Sequence, residues 1–102
     1  MDTVTFTALS EPARLKIVEL LRVQPCSVNE VALLLRIRQP QASKHLRTLS
    51  AAGLVTVQPI AQQRIYSLNP EPFLQLGNWA HSFQQFWDQR LDNSEQPLHK
   101  GK

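Results

Sequence analysis

The chain has a single cysteine and three glycines in 102 residues. One thiol, Cys26, excludes an intrachain disulfide and fits a reducing compartment. Apolar runs extend over only a few residues, which excludes a transmembrane helix. The start, Met1-Asp2-Thr3-Val4-Thr5-Phe6, lacks the basic end and apolar core of a secretion signal. The expected location is therefore the cytoplasm, with no membrane partner. No glycine-rich phosphate loop, clustered carboxylate pair or plausible nucleophile–base pair is visible, so catalysis is the weakest functional reading. Acids are missing locally: none occurs from residue 31 to residue 70, a segment that holds Arg36, Arg38, Lys44, Arg47 and Arg64. Five cations without a counter-charge predict one electropositive face. That local imbalance says more than the formal net charge of +3 and pI near 9.5, which only favour a polyanion partner.

An apolar content of 42% is enough for one small core, and the length corresponds to one domain. Thr3 to Leu9 predicts a short helix with Val4, Phe6 and Leu9 as its apolar positions. Ser10 reads as the N-cap of the next helix, with Glu11 in its first turn and Pro12 in a permitted early position. Leu15, Ile17, Val18, Leu20 and Leu21 place apolar groups on several sides of that helix, which should be largely buried and should end before Pro25. Ser27-Val28-Asn29-Glu30 is a capping box. It opens a helix whose Val28, Val31, Ala32 and Leu35 form one stripe.

Arg36-Ile37-Arg38-Gln39 is a short connection into the stretch the rest of the chain serves, which runs from Arg38 to Leu49. As a helix it puts Ala42, Leu46 and Leu49 on one stripe. Gln41, Ser43, Lys44, Arg47 and Thr48 fall on the opposite side, with no acid among them. Pro40 suits the first turn and Gly53 the position just past the end. Two short helices joined this way, the second polar outside, make a helix-turn-helix pattern, and such a helix suits a DNA major groove. Beyond Gly53 the period changes: Leu54-Val55-Thr56-Val57 and Ile65-Tyr66-Ser67-Leu68 predict a hairpin with a polar loop from Gln58 to Arg64. Asn69 and Pro70 read as the cap and first position of a last helix reaching about Leu91. Phe73, Leu76, Ala80, Phe83, Trp87 and Leu91 form a coiled-coil-like seam. Trp79 and Phe86 widen it beyond the needs of a small core, which points to a dimer interface. The polar segment 93–102 is expected to be a flexible tail beside a domain spanning 1–92.

Helix, helix-turn-helix, hairpin and helix follow the order of a winged helix-turn-helix domain, mainly α with a small β-hairpin. Ser10 to Leu21, Gln39-Pro40-Gln41-Ala42-Ser43-Lys44-His45-Leu46 with Leu49, Gly53-Leu54-Val55, and Arg64-Ile65-Tyr66-Ser67-Leu68 resemble the ArsR/SmtB-type bacterial repressors. The resemblance covers about Leu9 to Leu91. It implies a homodimer, joined by its first and last helices, that blocks transcription from operator DNA. Phe86-Trp87-Asp88-Gln89-Arg90-Leu91 is similar to a metal-independent, autorepressor branch. Many members hold a thiophilic metal on a Cys-x-Cys pair; Ser27 and Asn29 stand at those positions, with Cys26 one residue outside. A hydroxyl and an amide are poor ligands for such ions. The other common site uses Asp/His and His/Glu pairs on the last helix. Here His81 stands near Ser82, Gln84 and Gln85, with Asp88 seven residues on and His99 in the tail, which is no chelating set. No cofactor is expected.

The DNA-binding candidates are therefore Arg36, Arg38, Gln39, Gln41, Ser43, Lys44, Arg47 and Arg64. Gln41, Ser43 and Lys44 suit base edges, glutamine toward adenine and lysine toward guanine. Arg36, Arg38 and Arg47 suit phosphates. Arg64 either steadies the hairpin or reaches the minor groove. The hairpin tip, Ile60-Ala61-Gln62-Gln63, lacks the glycine and extra cations often found there. His45 should pack or cap, Cys26 should be an inert buried thiol, and Arg14 is either structural or a phosphate anchor. The dimer candidates are Val4, Phe6, Leu76, Trp79, Ala80, Phe83, Phe86 and Trp87. The leading expectation is a dimeric repressor on a pseudo-palindromic operator, its inducing signal unknown. Two others stand beside it: a metal- or redox-responsive repressor, and a winged-helix module whose aromatic helix takes a foreign protein.

Overall fold

A computed structural model describes residues 3–94, with side chains through Arg90. Five helices and three short strands follow in the order α1 (Thr3–Leu9), α2 (Pro12–Val23), β1 (Cys26–Ser27), α3 (Val28–Leu35), α4 (Gln39–Ala51), β2 (Val55–Ile60), β3 (Gln63–Leu68) and α5 (Pro70–Ser94). The core lies where α2, α3, α4 and the sheet converge. Ile17, Val31, Leu46, Leu49 and Leu54 are its largest fully buried side chains, with Ala42 at the close approach of α4. Val28, Leu35, Val57, Leu68 and Phe73 pack around this centre, half-buried.

Local chemistry explains most helix boundaries. Ser27 and Glu30 form the expected reciprocal cap: Glu30 N–H donates to Ser27 Oγ at 3.1 Å, and Ser27 N–H donates to Glu30 Oε1 at 2.7 Å. At the C-terminal end of α4, Gly53 adopts φ +80°. Gly53 N–H donates to Ser50 O at 2.9 Å and Leu54 N–H to Leu49 O at 3.0 Å. That pair of bonds is a Schellman closure, which needs a left-handed residue and so suits glycine. The break between α3 and α4 uses Arg36 instead, at φ 58°.

Several expectations need correction. The N-cap of α2 is Glu11 rather than Ser10: its carboxylate accepts Ala13 N–H at 2.8 Å, while Ser10 Oγ donates to Thr7 O at 2.7 Å. Pro12 at the first helical position makes the residue immediately before it the cap. Within α1, Thr5 and Ala8 supply the buried side chains, positions the sequence pattern did not single out, while the dimer candidates Val4 and Phe6 point outward and Leu9 is half-buried. The hairpin loop is also shorter than expected. β2 and β3 pair from Val55↔Leu68 to Ile60↔Gln63, leaving Ala61-Gln62 as the turn. Arg64 accordingly sits in β3 opposite Pro59 rather than in a loop. A third strand, β1, pairs antiparallel with β3 through Cys26↔Tyr66 and Ser27↔Ile65. The start of α3 is thereby stitched to the hairpin.

α5 begins at Pro70 as expected and continues through Ser94. Of the segment expected to be a tail, residues 95–102, His99 included, lie outside the described residues. Phe73 and Leu76 are half-buried, whereas every described side chain from Gly77 to Arg90 is exposed. The helix projects from the body, giving extents of 60 × 24 × 21 Å.

Candidate nucleic-acid interface

α4 is anchored by Ala42, Leu46 and Leu49, all fully buried, so its opposite face must turn outward. Gln39, Gln41, Lys44, Arg47 and Thr48 are exposed there, and Ser43 is half-buried at the edge. Arg47 Nη1 donates to Ser43 Oγ at 2.9 Å, one turn back. Thr48 Oγ1 donates to the backbone carbonyl of Lys44 at 3.2 Å, and the Lys44 side chain is exposed. Gln41 has a local role: its Oε1 accepts Arg38 N–H at 3.1 Å and helps to start the helix. Its amide N–H2 is left to face outward. Arg36 and Arg38 are exposed in the turn just ahead of α4.

The hairpin adds a second group. Gln39, at the start of α4, lines a cleft of about 170 Å³ with Ser27, Val28, Asn29, Gln62, Gln63 and Arg64. The structure thus brings Arg64 and Gln39 together, although they lie 25 positions apart in the sequence. Asn29, Gln62 and Gln63 join them as polar neighbours that the sequence reading did not place on this face. The acid-free run included Gln62 and Gln63, a hint that these positions share its environment. Only the pairing of β1 with β3 brings Asn29 there.

Charge on this face is uncompensated. Among the described residues the ion pair found is Arg22–Glu19 at 3.2 Å on α2. None of Arg36, Arg38, Lys44, Arg47 or Arg64 has a carboxylate of the described residues within that reach. Arg14 is half-buried on α2 instead. Its Nε donates to Ala8 O, and its Nη1 lies 3.5 Å from Nδ1 of half-buried His45. It therefore ties α1 to α2 and touches α4, which makes it structural.

The other surface is apolar. Trp79, Phe83, Phe86 and Trp87 remain 45%, 47%, 48% and 55% exposed, and Val4 and Phe6 on α1 are 53% and 39% exposed. Phe6 meets Trp79 edge-to-face at 5.3 Å between centroids, and Trp79 meets Phe83 at 5.0 Å. The outer residues of α1 and the stripe of α5 therefore form one continuous patch. Ala80 is exposed within it. Leu76 lies lower down, lining an apolar groove between α2 and the root of α5 with Leu15, Val18 and Phe73.

Neither family metal site fits these side chains. Ser27 Oγ is buried and already accepts a backbone N–H, and Asn29 offers only an amide. On α5, His81 and Asp88 are separated by about 10 Å along the axis at 1.5 Å per residue, too far to chelate one ion. Cys26 is buried in β1, its Sγ 3.5 Å from Gln24 O. Burial, with Glu30 nearby, raises its thiol above the ordinary value, so it stays protonated and unreactive at neutral pH.

A bundle of short helices carrying a helix-turn-helix and a β-hairpin beside it is a winged helix-turn-helix domain. The comparisons agree with that class. A helix-turn-helix domain profile matches residues 9–58. The chain is 34% identical over 84 residues to the HTH-type transcriptional regulator Rv2034 of Mycobacterium tuberculosis, covering 82% of this chain and 76% of that protein. It is 32% identical over 78 residues to the transcriptional repressor SdpR of Bacillus subtilis, covering 76% and 87%. An ArsR-like transcriptional regulator from Rhodococcus sp. RHA1 superposes with a TM-score of 0.75 at 25% identity, covering 91% and 88%. The chain belongs to the ArsR/SmtB family of winged helix-turn-helix transcriptional regulators.

Proposed function

We propose that this protein is a homodimeric repressor that binds a pseudo-palindromic DNA operator without a resident metal. One observation carries the reading: the outward face of α4 and its flanks hold five cations and several amides with no carboxylate among the described residues within ion-pair reach. Lys44, Ser43 and the free amide of Gln41 read base edges in the major groove. Arg47, Arg36 and Arg38 hold phosphates on either side. Arg64, with Gln39, Gln62, Gln63 and Asn29, grips the backbone where the hairpin approaches it. Dimerisation through Val4, Phe6, Leu76, Trp79, Ala80, Phe83, Phe86 and Trp87 covers the aromatic patch and presents two copies of α4 to one side of the duplex. Support for the dimer comes from the size and continuity of that patch. Metal independence rests on the donor chemistry at Ser27, Asn29, His81 and Asp88.

The test starts from a random duplex library, selected on the purified protein to yield a preferred sequence. Fluorescence anisotropy on that duplex and on a shuffled one, at two salt concentrations and with or without a chelator, follows. Sequence-selective binding that weakens with salt and ignores the chelator is expected. Equal, weak binding to both duplexes by a monomer would refute the reading and assign the aromatic helix to a foreign protein partner.

A further inference from the structure

The joint between the recognition helix and the projecting helix passes through one residue, Asn69. Its backbone N–H donates to Leu54 O at 2.9 Å, and its side-chain Nδ2 donates to Gly53 O at 2.9 Å. Its Oδ1 accepts Glu71 N–H at 3.4 Å and so caps the first turn of α5. Gly53 and Leu54 are the residues that close α4, as the Schellman bonds show. Pro70 follows immediately and biases Asn69 toward extended backbone. The end of α4 and the start of α5 are thus fastened to the same side chain from opposite directions.

Geometry makes this joint consequential. α5 has 25 residues, about 37 Å at 1.5 Å per residue. Its outer side chains touch little of their own domain apart from Phe6 against Trp79, so its direction is set near its root. A tilt of about 6° there moves the far end by about 4 Å, by the same length. That displacement exceeds the base-pair rise of about 3.4 Å. A dimer reading two half-sites about 34 Å apart must hold its recognition helices to better than this.

We infer that Asn69 is a positioning residue for operator recognition: by locking α4 to α5 it sets the spacing between the two recognition helices. The inference rests on the dimeric, operator-binding reading above. It assigns Asn69 no contact with DNA and no share in the dimer surface. What it controls is the angle between the two.

Asn69→Asp separates the two jobs of the side chain. A carboxylate still caps α5, but it cannot donate to Gly53 O. The selected duplex is remade with its half-sites one and two base pairs closer and farther apart, and anisotropy gives affinity at each spacing. Dimer dissociation is measured in parallel by sedimentation. The wild-type protein should show a sharp optimum. N69D should bind about three- to tenfold more weakly there, the order of magnitude that releasing a positioning hydrogen bond of ordinary net strength allows, and within about twofold of wild type at neighbouring spacings, with an unchanged dimer. Asn69→Ser, whose hydroxyl caps α5 but is too short to reach Gly53 O, should repeat the flattened profile and decides the matter if N69D does not fold.

An unchanged sharp profile in the variants would overturn the role of Asn69 alone. So would a uniform loss at every spacing, which marks a merely structural residue. A wild-type protein indifferent to spacing would instead refute the dimeric operator reading itself, and this inference with it.

Discussion

Arg47→Ala tests the DNA-facing surface where arithmetic is available. Arg47 is exposed on α4 and, among the described residues, is partnered by the Ser43 hydroxyl alone, at 2.9 Å, so its removal leaves no buried group unsatisfied. Alanine is the better helix former, and the fold should be unaffected. Each phosphate contact contributes about 0.9 to the negative slope of log affinity against log salt on duplex DNA. A dimer loses two contacts, so the slope should become shallower by about 1.8. Between about 50 and 200 mM salt, log concentration changes by about 0.6, so the variant's penalty should be about tenfold larger at the lower salt. The assay is anisotropy on the selected duplex at five or so salt concentrations. Ser43→Ala is the control: it frees the guanidinium without removing charge and should leave the slope alone. Arg47→Lys should keep most of it. An Arg47→Ala slope equal to wild type would show that this guanidinium meets no phosphate, and the phosphate side of α4 would have to be placed elsewhere.

Other perturbations reach the remaining surfaces. Phe83→Asp puts a charge into a patch that is half-exposed in the single chain, so circular dichroism should be unchanged while sedimentation shows a monomer; a dimer that persists would move the interface away from α5. Ser27→Ala removes the acceptor for Glu30 N–H and should cost about 1 kcal/mol, read as a fall in Tm of about 4–8 °C. Leu46→Ala, at a fully buried position of α4, should cost about 2–5 kcal/mol, measured by urea unfolding. For Cys26 the raised thiol value means that the folded state holds its proton more tightly than the unfolded chain. The associated stability is complete below the ordinary thiol value of 9.0 and is lost as pH rises through the higher folded value. Iodoacetamide at neutral pH should therefore label the native protein far more slowly than the urea-unfolded one, and the alkaline fall in Tm should be shallower in Cys26→Ala. Rapid native labelling would contradict the buried, protonated thiol.

What could be read without coordinates was local. Ser27 with Glu30, Gly53 after α4, and Asn69 before Pro70 each place a helix end through side chains within a few positions, and all three ends fall where expected. Ser10 and Glu11 show the limit of such signals, because both can cap and only the demand of Pro12 for the first helical position separates them. α1 shows another: in seven residues two faces carry comparable apolar content, and close packing on α2 selects small Thr5 and Ala8 over Val4 and Phe6. The hairpin was underestimated because Gln58, Pro59, Gln63 and Arg64 are exposed in the strands. With neither face covered there, pairing leaves no alternation in the sequence. β1 has no local signature at all, since two residues become a strand only by meeting Ile65 and Tyr66. The same kind of distance hides the cleft beside Arg64 and the bond from Asn69 to Gly53. The cap at Asn69 is written in its neighbours Pro70 and Glu71, while its hold on α4 spans sixteen positions. One residue can therefore look like an ordinary helix start in the sequence and still fasten the end of α4 to the start of α5.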